Sequence, residues 1–243
     1  MLDQWFRDLE IELPWEKFRS LPRHPAYRYE YRKGPLRISG NPRYFHCLID
    51  LHGLDSTNAA APVSQFLCRV ITPDDWPRLQ MPFADALRTS SPLCHLTRDE
   101  RLLAAKQTLE QTRSGVDGPL VEAGCFILEH VDQREVVGAI LVTLIPSGDL
   151  RSFDADKWNE TPPEKPVQQR WGQPHLTWIF VRPEWSRRGV GGTLLRQSIE
   201  RIHALGYGTL ASTILLGNYS SMLWHWRMGF ELLSHPTSPR RLG

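Results

Sequence analysis

The sequence is short of cysteine, of long apolar runs and of net charge, and each shortage excludes a class of protein. Its four cysteines, Cys47, Cys68, Cys94 and Cys125, lie far apart, with no CxxC pair and no histidine at zinc-ligand spacing. A disulfide scaffold and a metal site are thereby excluded, and reduced, space-filling thiols in a cytoplasmic protein are expected. The longest apolar run, VVGAILVTLI from Val136 to Ile145, falls well short of the roughly 18 residues of a membrane span. The acidic opening MLDQWFRDLE is no secretory signal. A net charge of +2, from 29 basic and 27 acidic residues spread along the chain, offers no general attraction to nucleic acid or to an anionic membrane.

What is present is a soluble globular pattern of 243 residues in two unequal parts. The small-residue stretch DSTNAAAPVS, Asp55 to Ser64, reads as a linker, so residues 1–60 form an extension and 61–243 the main domain. In the extension, PWEKFRSL predicts a short helix and AYRYEYRKGPLRIS two strands turning at Lys33, Gly34 and Pro35. RYFHCLIDL, Arg43 to Leu51, predicts a strand with one apolar face, Phe45, Cys47, Ile49 and Leu51. The tyrosines and arginines of Tyr27 to Arg32 fit either a base-stacking surface or a strand with one packed and one solvated face.

The main domain reads as strand (QFLCRVI), turn and helix (Pro73 to Arg88), helix (Arg98 to Thr112, capped by Thr97), and a hairpin with its turn at Asp132 to Glu135. A long polar segment, Pro146 to Pro174, is a candidate binding loop. HLTWIFV, GGTLLRQSIERIHAL, GTLASTIL, NYSSMLWHWRM and GFELL then alternate strand and helix. The order predicts an α/β fold: a central mixed sheet flanked by helices, with a β-rich extension before it.

Between the strand HLTWIFV and the next helix lies VRPEWSRRGVGG, with two arginines and three glycines in its last six residues. Glycines let successive peptide N–H groups converge on an anion, the helix adds the positive end of its dipole, and Arg187 and Arg188 add full charges. Such a turn suits a pyrophosphate. It is not the triphosphatase loop, which needs Lys before Ser or Thr, nor GxGxxG, because Gly189, Gly191 and Gly192 are too closely spaced.

With VRP (Val181 to Pro183) before SRRGVG (Ser186 to Gly191), and NYSSMLWHWRMGF (Asn218 to Phe230) downstream, the chain resembles the GNAT superfamily of acetyl-CoA-dependent N-acetyltransferases. The likeness covers Phe66 to Leu233. It implies acetyl-CoA as cosubstrate and a V-shaped splay between the strands His175 to Val181 and Gly208 to Leu215 that admits the pantetheine arm. It further implies backbone contacts to that arm from Ile179, Phe180 and Val181, a pyrophosphate cradle from Arg187, Arg188, Gly189, Val190, Gly191 and Gly192, and a cofactor contact from Asn218. Ser186 stands where the family usually has Gln or Arg, and His225 where many members have a thiolate-protonating tyrosine. After GFELL no sequence resembles the family's last strand, which would pair beside Gly208 to Leu215. Arg43 to Leu51, or the hairpin before it, is expected either to close that edge, within the chain or from the partner in a homodimer, or to form a separate hairpin lid.

Acetyl transfer to an amine needs a neutral nucleophile, oxyanion stabilisation and a proton for sulfur. The oxyanion would be met by backbone N–H groups near Phe180 and Val181. His225 either gives the proton or packs between Trp224 and Trp226, and the candidates for a base are His175, Thr177, Glu129 and His130, or ordered water. Trp158, Trp171 and Trp178 either line an acceptor pocket or fill the core. The acceptor is an amine-bearing small molecule or a peptide, and a non-catalytic acyl-CoA sensor on the same fold is the alternative.

Overall fold

The computed structural model describes residues 5–6, 8–31, 35–41, 43–52, 65–148 and 160–233. The expected linker at 55–64, the turn residues Lys33 and Gly34, and Trp158 lie outside the described residues, as does the boundary near residue 60.

The N-terminal part opens with an antiparallel sheet ordered β1-β3-β2, from β1 (Leu9–Glu12), β2 (Tyr27–Tyr31) and β3 (Pro35–Gly40). β1, whose residues LEIE are all exposed, is a strand that the sequence reading does not include. Helix α1 (Trp15–Ser20) lays Phe18 on the Tyr31 ring, with centroids 5.0 Å apart and Trp15 tilted against both. Arg28 pairs outward with Glu30 at 2.8 Å. Over the described residues Tyr27 to Tyr31, the aromatic and arginine alternation is therefore a packed face and a solvated face.

The main sheet has seven strands in the order β10-β4-β9-β8-β7-β6-β5, all antiparallel except β8 with β9. They are β4 (Tyr44–Asp50), β5 (Phe66–Val70), β6 (Phe126–His130), β7 (Glu135–Ile145), β8 (Gln173–Val181), β9 (Thr209–Leu215) and β10 (Glu231–Leu232). β7 is buried from Val136 to Leu144, as expected of a central strand covered on both faces. Helices α2 (Trp76–Leu87) and α3 (Arg98–Arg113) cover one face, where Phe83 stacks on Phe180 at 4.6 Å and Trp178 Nε1 donates to Thr112 Oγ1 at 2.9 Å. Thr97 and Glu100 close a capping box that starts α3. Helices α4 (Val190–Ala204) and α5 (Tyr219–Arg227) cover the other face, with Ser198 Oγ donating to Gly124 O at 2.7 Å.

β4 comes from the N-terminal part yet sits inside this sheet. It pairs with β9 over its whole length, from Tyr44↔Leu215 to Asp50↔Thr209, and with β10 through Leu48↔Glu231 and Cys47↔Leu232. Cys47, Ile49 and Leu51 are buried in the core, as the alternation predicts. The edge beside β9 is closed within the chain.

Candidate functional site

The two parallel strands at the centre meet only briefly. Their ladder holds at His175↔Ala211 and Leu176↔Ser212, and the strands then diverge although both continue, to Val181 and Leu215. A bulge in β8 accompanies the divergence: Leu141 faces Trp178 and Val142 faces Leu176, which leaves Thr177 without an opposite residue. An extra residue bends and twists its strand, so the bulge directs the end of β8 away from β9.

The β7 register fixes what β8 offers to this splay. Arg182 N donates to Val137 O at 2.9 Å, so Gly138↔Val181 is a pair without mutual bonds. Antiparallel alternation then turns the peptide groups of Phe180 toward Ala139, and those of Ile179 and Val181 away from β7 into the splay. Of the three residues expected to offer backbone groups, two face the opening. Phe180, whose ring lies on Phe83, supports them from the ladder.

The glycine turn lies at the same end of the sheet. Arg187 (φ 60) and Gly189 (φ 80) are both left-handed, and nothing lies within 4 Å of where a Gly189 Cβ would be. The first α4 bond is Thr193 N to Gly189 O at 2.9 Å, so the N–H groups of Val190, Gly191 and Gly192 precede any intrahelical partner. N–H donors without intrahelical partners, open space beside Gly189 and exposed Arg187 and Arg188 fit a phosphate group. Two members act differently from a simple cradle. The Val190 side chain is buried and fixes the turn under the sheet, which leaves only its N–H for a ligand. A Gly191 Cβ would stand 3.0 Å from Trp224 Nε1, so this glycine lets α4 approach α5. Arg188 lies over the Trp185 ring at 4.9 Å.

Asn218 caps α5: its Oδ1 accepts from Ser221 N at 3.2 Å and Ser220 Oγ at 2.9 Å. His225 is 3 % exposed. Its Nδ1 donates to Ser221 O at 2.8 Å and its Nε2 lies 3.0 Å from Ser212 Oγ, which is also 3.2 Å from Leu176 O at the apex of the splay. Its ring packs edge-on against Trp224 and Phe230, whereas Trp226, expected on its other side, is exposed. Burial lowers the His225 pKa, and the Ser221 bond opposes this only in part.

Other expected residues lie elsewhere. Glu129 is clamped by Arg69 and Arg78 beside Asp75, on a strand two places from β8. Burial would raise its pKa, but the two guanidinium groups outweigh that and hold it below the ordinary value. His130 is buried against the Phe66 and Trp185 rings. Trp178 and Trp171 pack against the core.

The structure brings to the apex four polar residues that strand patterning did not single out, Thr143, Ser212, Thr213 and His46. His175 Nδ1 lies 3.2 Å from Thr177 Oγ1, and its Nε2 3.0 Å from Thr213 Oγ1. Thr213 Oγ1 is 3.1 Å from His46 Nδ1, and Thr177 Oγ1 is 2.8 Å from Thr143 Oγ1. Burial lowers the His175 pKa to about 4, with His46 and His225 adding to the shift. Only pairing across β4, β9, β8 and β7 reveals this row.

No curated protein matches the chain. Solved structures to which it is similar include PaiA N-acetyltransferase from Thermoplasma acidophilum in complex with coenzyme A, with 13% identity, 68% of this chain and 89% of that one covered, and a TM-score of 0.46. A GNAT family acetyltransferase from Brucella melitensis in complex with acetyl-CoA shows 18% identity, coverage of 72% and 89%, and a TM-score of 0.45. A GCN5-related N-acetyltransferase from Sphaerobacter thermophilus shows 12% identity and a TM-score of 0.47, with 94% of this chain spanning 57% of that one. The family model described as "Acetyltransferase (GNAT) family" matches residues 92–230. That match takes in more than half of the chain, both arms of the splay and the glycine turn, and the protein belongs to the GNAT family of acetyltransferases.

Proposed function

We propose that the protein transfers an acetyl group from acetyl-CoA to a primary amine, by direct attack in a ternary complex. The observation that carries this reading is the β8–β9 ladder, which ends at Leu176↔Ser212 and opens toward the glycine turn. When bound, acetyl-CoA supplies a thioester carbonyl as electrophile. Arg187, Arg188 and the N–H groups of Gly189, Val190, Gly191 and Gly192 hold its pyrophosphate, and the peptide groups of Ile179 and Val181 hold the pantetheine amides. Asn218, with Oδ1 used in capping, has its amide NH2 left to offer the cofactor. The test is acetyl-CoA consumption over an amine library, with products identified by mass spectrometry.

The double variant Arg187→Ala, Arg188→Ala is expected to weaken acetyl-CoA binding about 10- to 100-fold with little change in thermal stability, because both side chains are exposed. Calorimetric titration checks this, and an unchanged affinity rejects the cradle. Gly191→Asp is a poorer probe, because it would also force Trp224 to move.

For His225 we propose a positioning role through Ser212. Donation to sulfur needs an imidazolium, which burial disfavours, and both ring nitrogens are already engaged. His225→Gln is accordingly expected to keep kcat within about three-fold. A loss of about 10²- to 10⁴-fold with acetyl-CoA affinity unchanged would instead identify His225 as the proton donor.

A further inference from the structure

The hydroxyl groups and imidazoles at the apex form one continuous row, and its direction follows from one backbone carbonyl. Thr143 Oγ1 lies 2.8 Å from Asp117 O, and a carbonyl only accepts, so Thr143 donates there. Thr143 is buried, and its 2.8 Å contact with Thr177 Oγ1 is then a bond donated by Thr177. Thr177 has no second proton, whether it gives its own to Thr143 or to His175 O at 3.2 Å, so it accepts from His175 Nδ1 at 3.2 Å. A neutral imidazole carries one N–H, which leaves His175 Nε2 as an acceptor for the Thr213 hydroxyl at 3.0 Å. Thr213 in turn accepts from His46 Nδ1 at 3.1 Å.

The place of the two threonines gives this row a use. Thr177 and Thr213 directly follow Leu176 and Ser212, the last paired residues of the two strands. They stand one on each arm of the splay, and His175 joins them.

We propose that Thr213, His175 and Thr177 form a proton shuttle across the splay, carrying the proton lost by the attacking amine to the departing sulfur. It rests on the proposed acetyl transfer. The amine N–H bond breaks as nitrogen bonds to the acetyl carbon. That proton goes to Thr213 Oγ1, and the Thr213 proton moves to His175 Nε2. As the carbon–sulfur bond breaks, its electron pair stays on sulfur. Thr177 turns its hydroxyl from Thr143 to that thiolate, gives up its proton, and is reprotonated from His175 Nδ1. The amine has lost one proton and the sulfur has gained one, so no outside acid or base is consumed. His175 is left protonated on Nε2, and exchange with water resets it once products leave. A partly buried imidazole with a depressed pKa suits a carrier, because it passes the proton on and does not keep it. Thr143, Asp117 O and His46 are positioning groups that set the resting tautomer, and His46 is contributed by a strand outside the region matched to the family.

The test uses the full chain and the best amine from the library. His175→Gln can still hydrogen-bond both threonines yet carries no proton, so kcat is expected to fall about 100-fold or more with acetyl-CoA affinity unchanged. Thr213→Val and Thr177→Val are expected to fall alike, and Thr213→Ser and Thr177→Ser to recover most of the rate. Independently of turnover, long-range proton–nitrogen NMR of the ligand-free protein is expected to find His175 neutral and protonated on Nδ1 at pH 7. Activity of His175→Gln within three-fold of the parent, or an Nε2-protonated resting His175, overturns the shuttle. A parent that binds acetyl-CoA but acetylates no amine overturns the transfer reading itself, and the shuttle with it.

Discussion

Deleting residues 1–52 is expected to leave an insoluble or aggregating protein, although the remainder retains every residue matched to the family. β4 supplies the partner for β9 along seven residues and is the strand to which β10 pairs. Its loss exposes the backbone of β9 as an unpaired edge, and β10, only two residues long, is left without a ladder. It also removes Cys47, Ile49 and Leu51 from the core. Burial of a large aliphatic side chain contributes about 1.5–3 kcal/mol, against a total stability of about 5–15 kcal/mol for a typical domain. Three side chains and two ladders together are enough to remove the folded state. A narrower form of the same test is Ile49→Asp, which places an unpaired carboxylate at a position that is 2 % exposed. Solubility, circular dichroism and urea unfolding report the outcome. A soluble, monomeric fragment that unfolds cooperatively and binds acetyl-CoA would show that the sheet closes without β4.

That β4 belongs to the sheet was legible in outline because two sequence facts pointed the same way. One segment alternated apolar and polar residues as a half-buried strand does, and the sequence after GFELL carries no strand pattern to complete the sheet. A helix start was readable where a local rule governed it, as at Thr97 before α3. The glycine turn was readable because its conformation needs residue types that few other turns need. What stayed illegible depends on register. Nothing local to Thr177 says that it is the bulged residue, and nothing local to Phe180 says that its peptide groups face β7 while those of its neighbours face the splay. His46 and His175 lie far apart in sequence and meet through Thr213 only because β4, β9 and β8 are adjacent. His225 shows the opposite failure. The pattern offers it as a candidate proton donor, but does not contain the burial or the contacts with Ser212 and Ser221 that bear on its chemistry.

Acidification is expected to destabilise the protein between about pH 6.5 and pH 4, before most carboxylates titrate. The main cause is a pair of imidazoles, His175, partly buried, and His225, buried, and burial lowers the His24 pKa in the same direction. Burial lowers the His175 pKa to about 4, with His46 and His225 adding to it, and burial lowers the His225 pKa as well. In the unfolded chain both histidines return to about 6.5. Between the two values the unfolded state holds more protons than the folded one, so stability rises with pH there. The contribution is complete above about pH 6.5 and is lost as pH falls toward the folded-state value. For His175 the limit of the effect is on the order of 3 kcal/mol, which is several degrees or more in Tm for a domain of this size. His225 adds to it in the same direction. The carboxylates of the Arg69, Asp75, Arg78 and Glu129 cluster add to the loss only below about pH 5, where the unfolded chain begins to protonate them, so the interval above pH 5 reports the imidazoles. Thermal melts at half-unit steps from pH 7.5 to pH 4 check the prediction, with His175→Gln alongside. The parent should lose Tm steadily across the window, and the variant should start lower at neutral pH and lose less. Parallel curves for the two proteins would show that His175 titrates alike in the folded and unfolded chains.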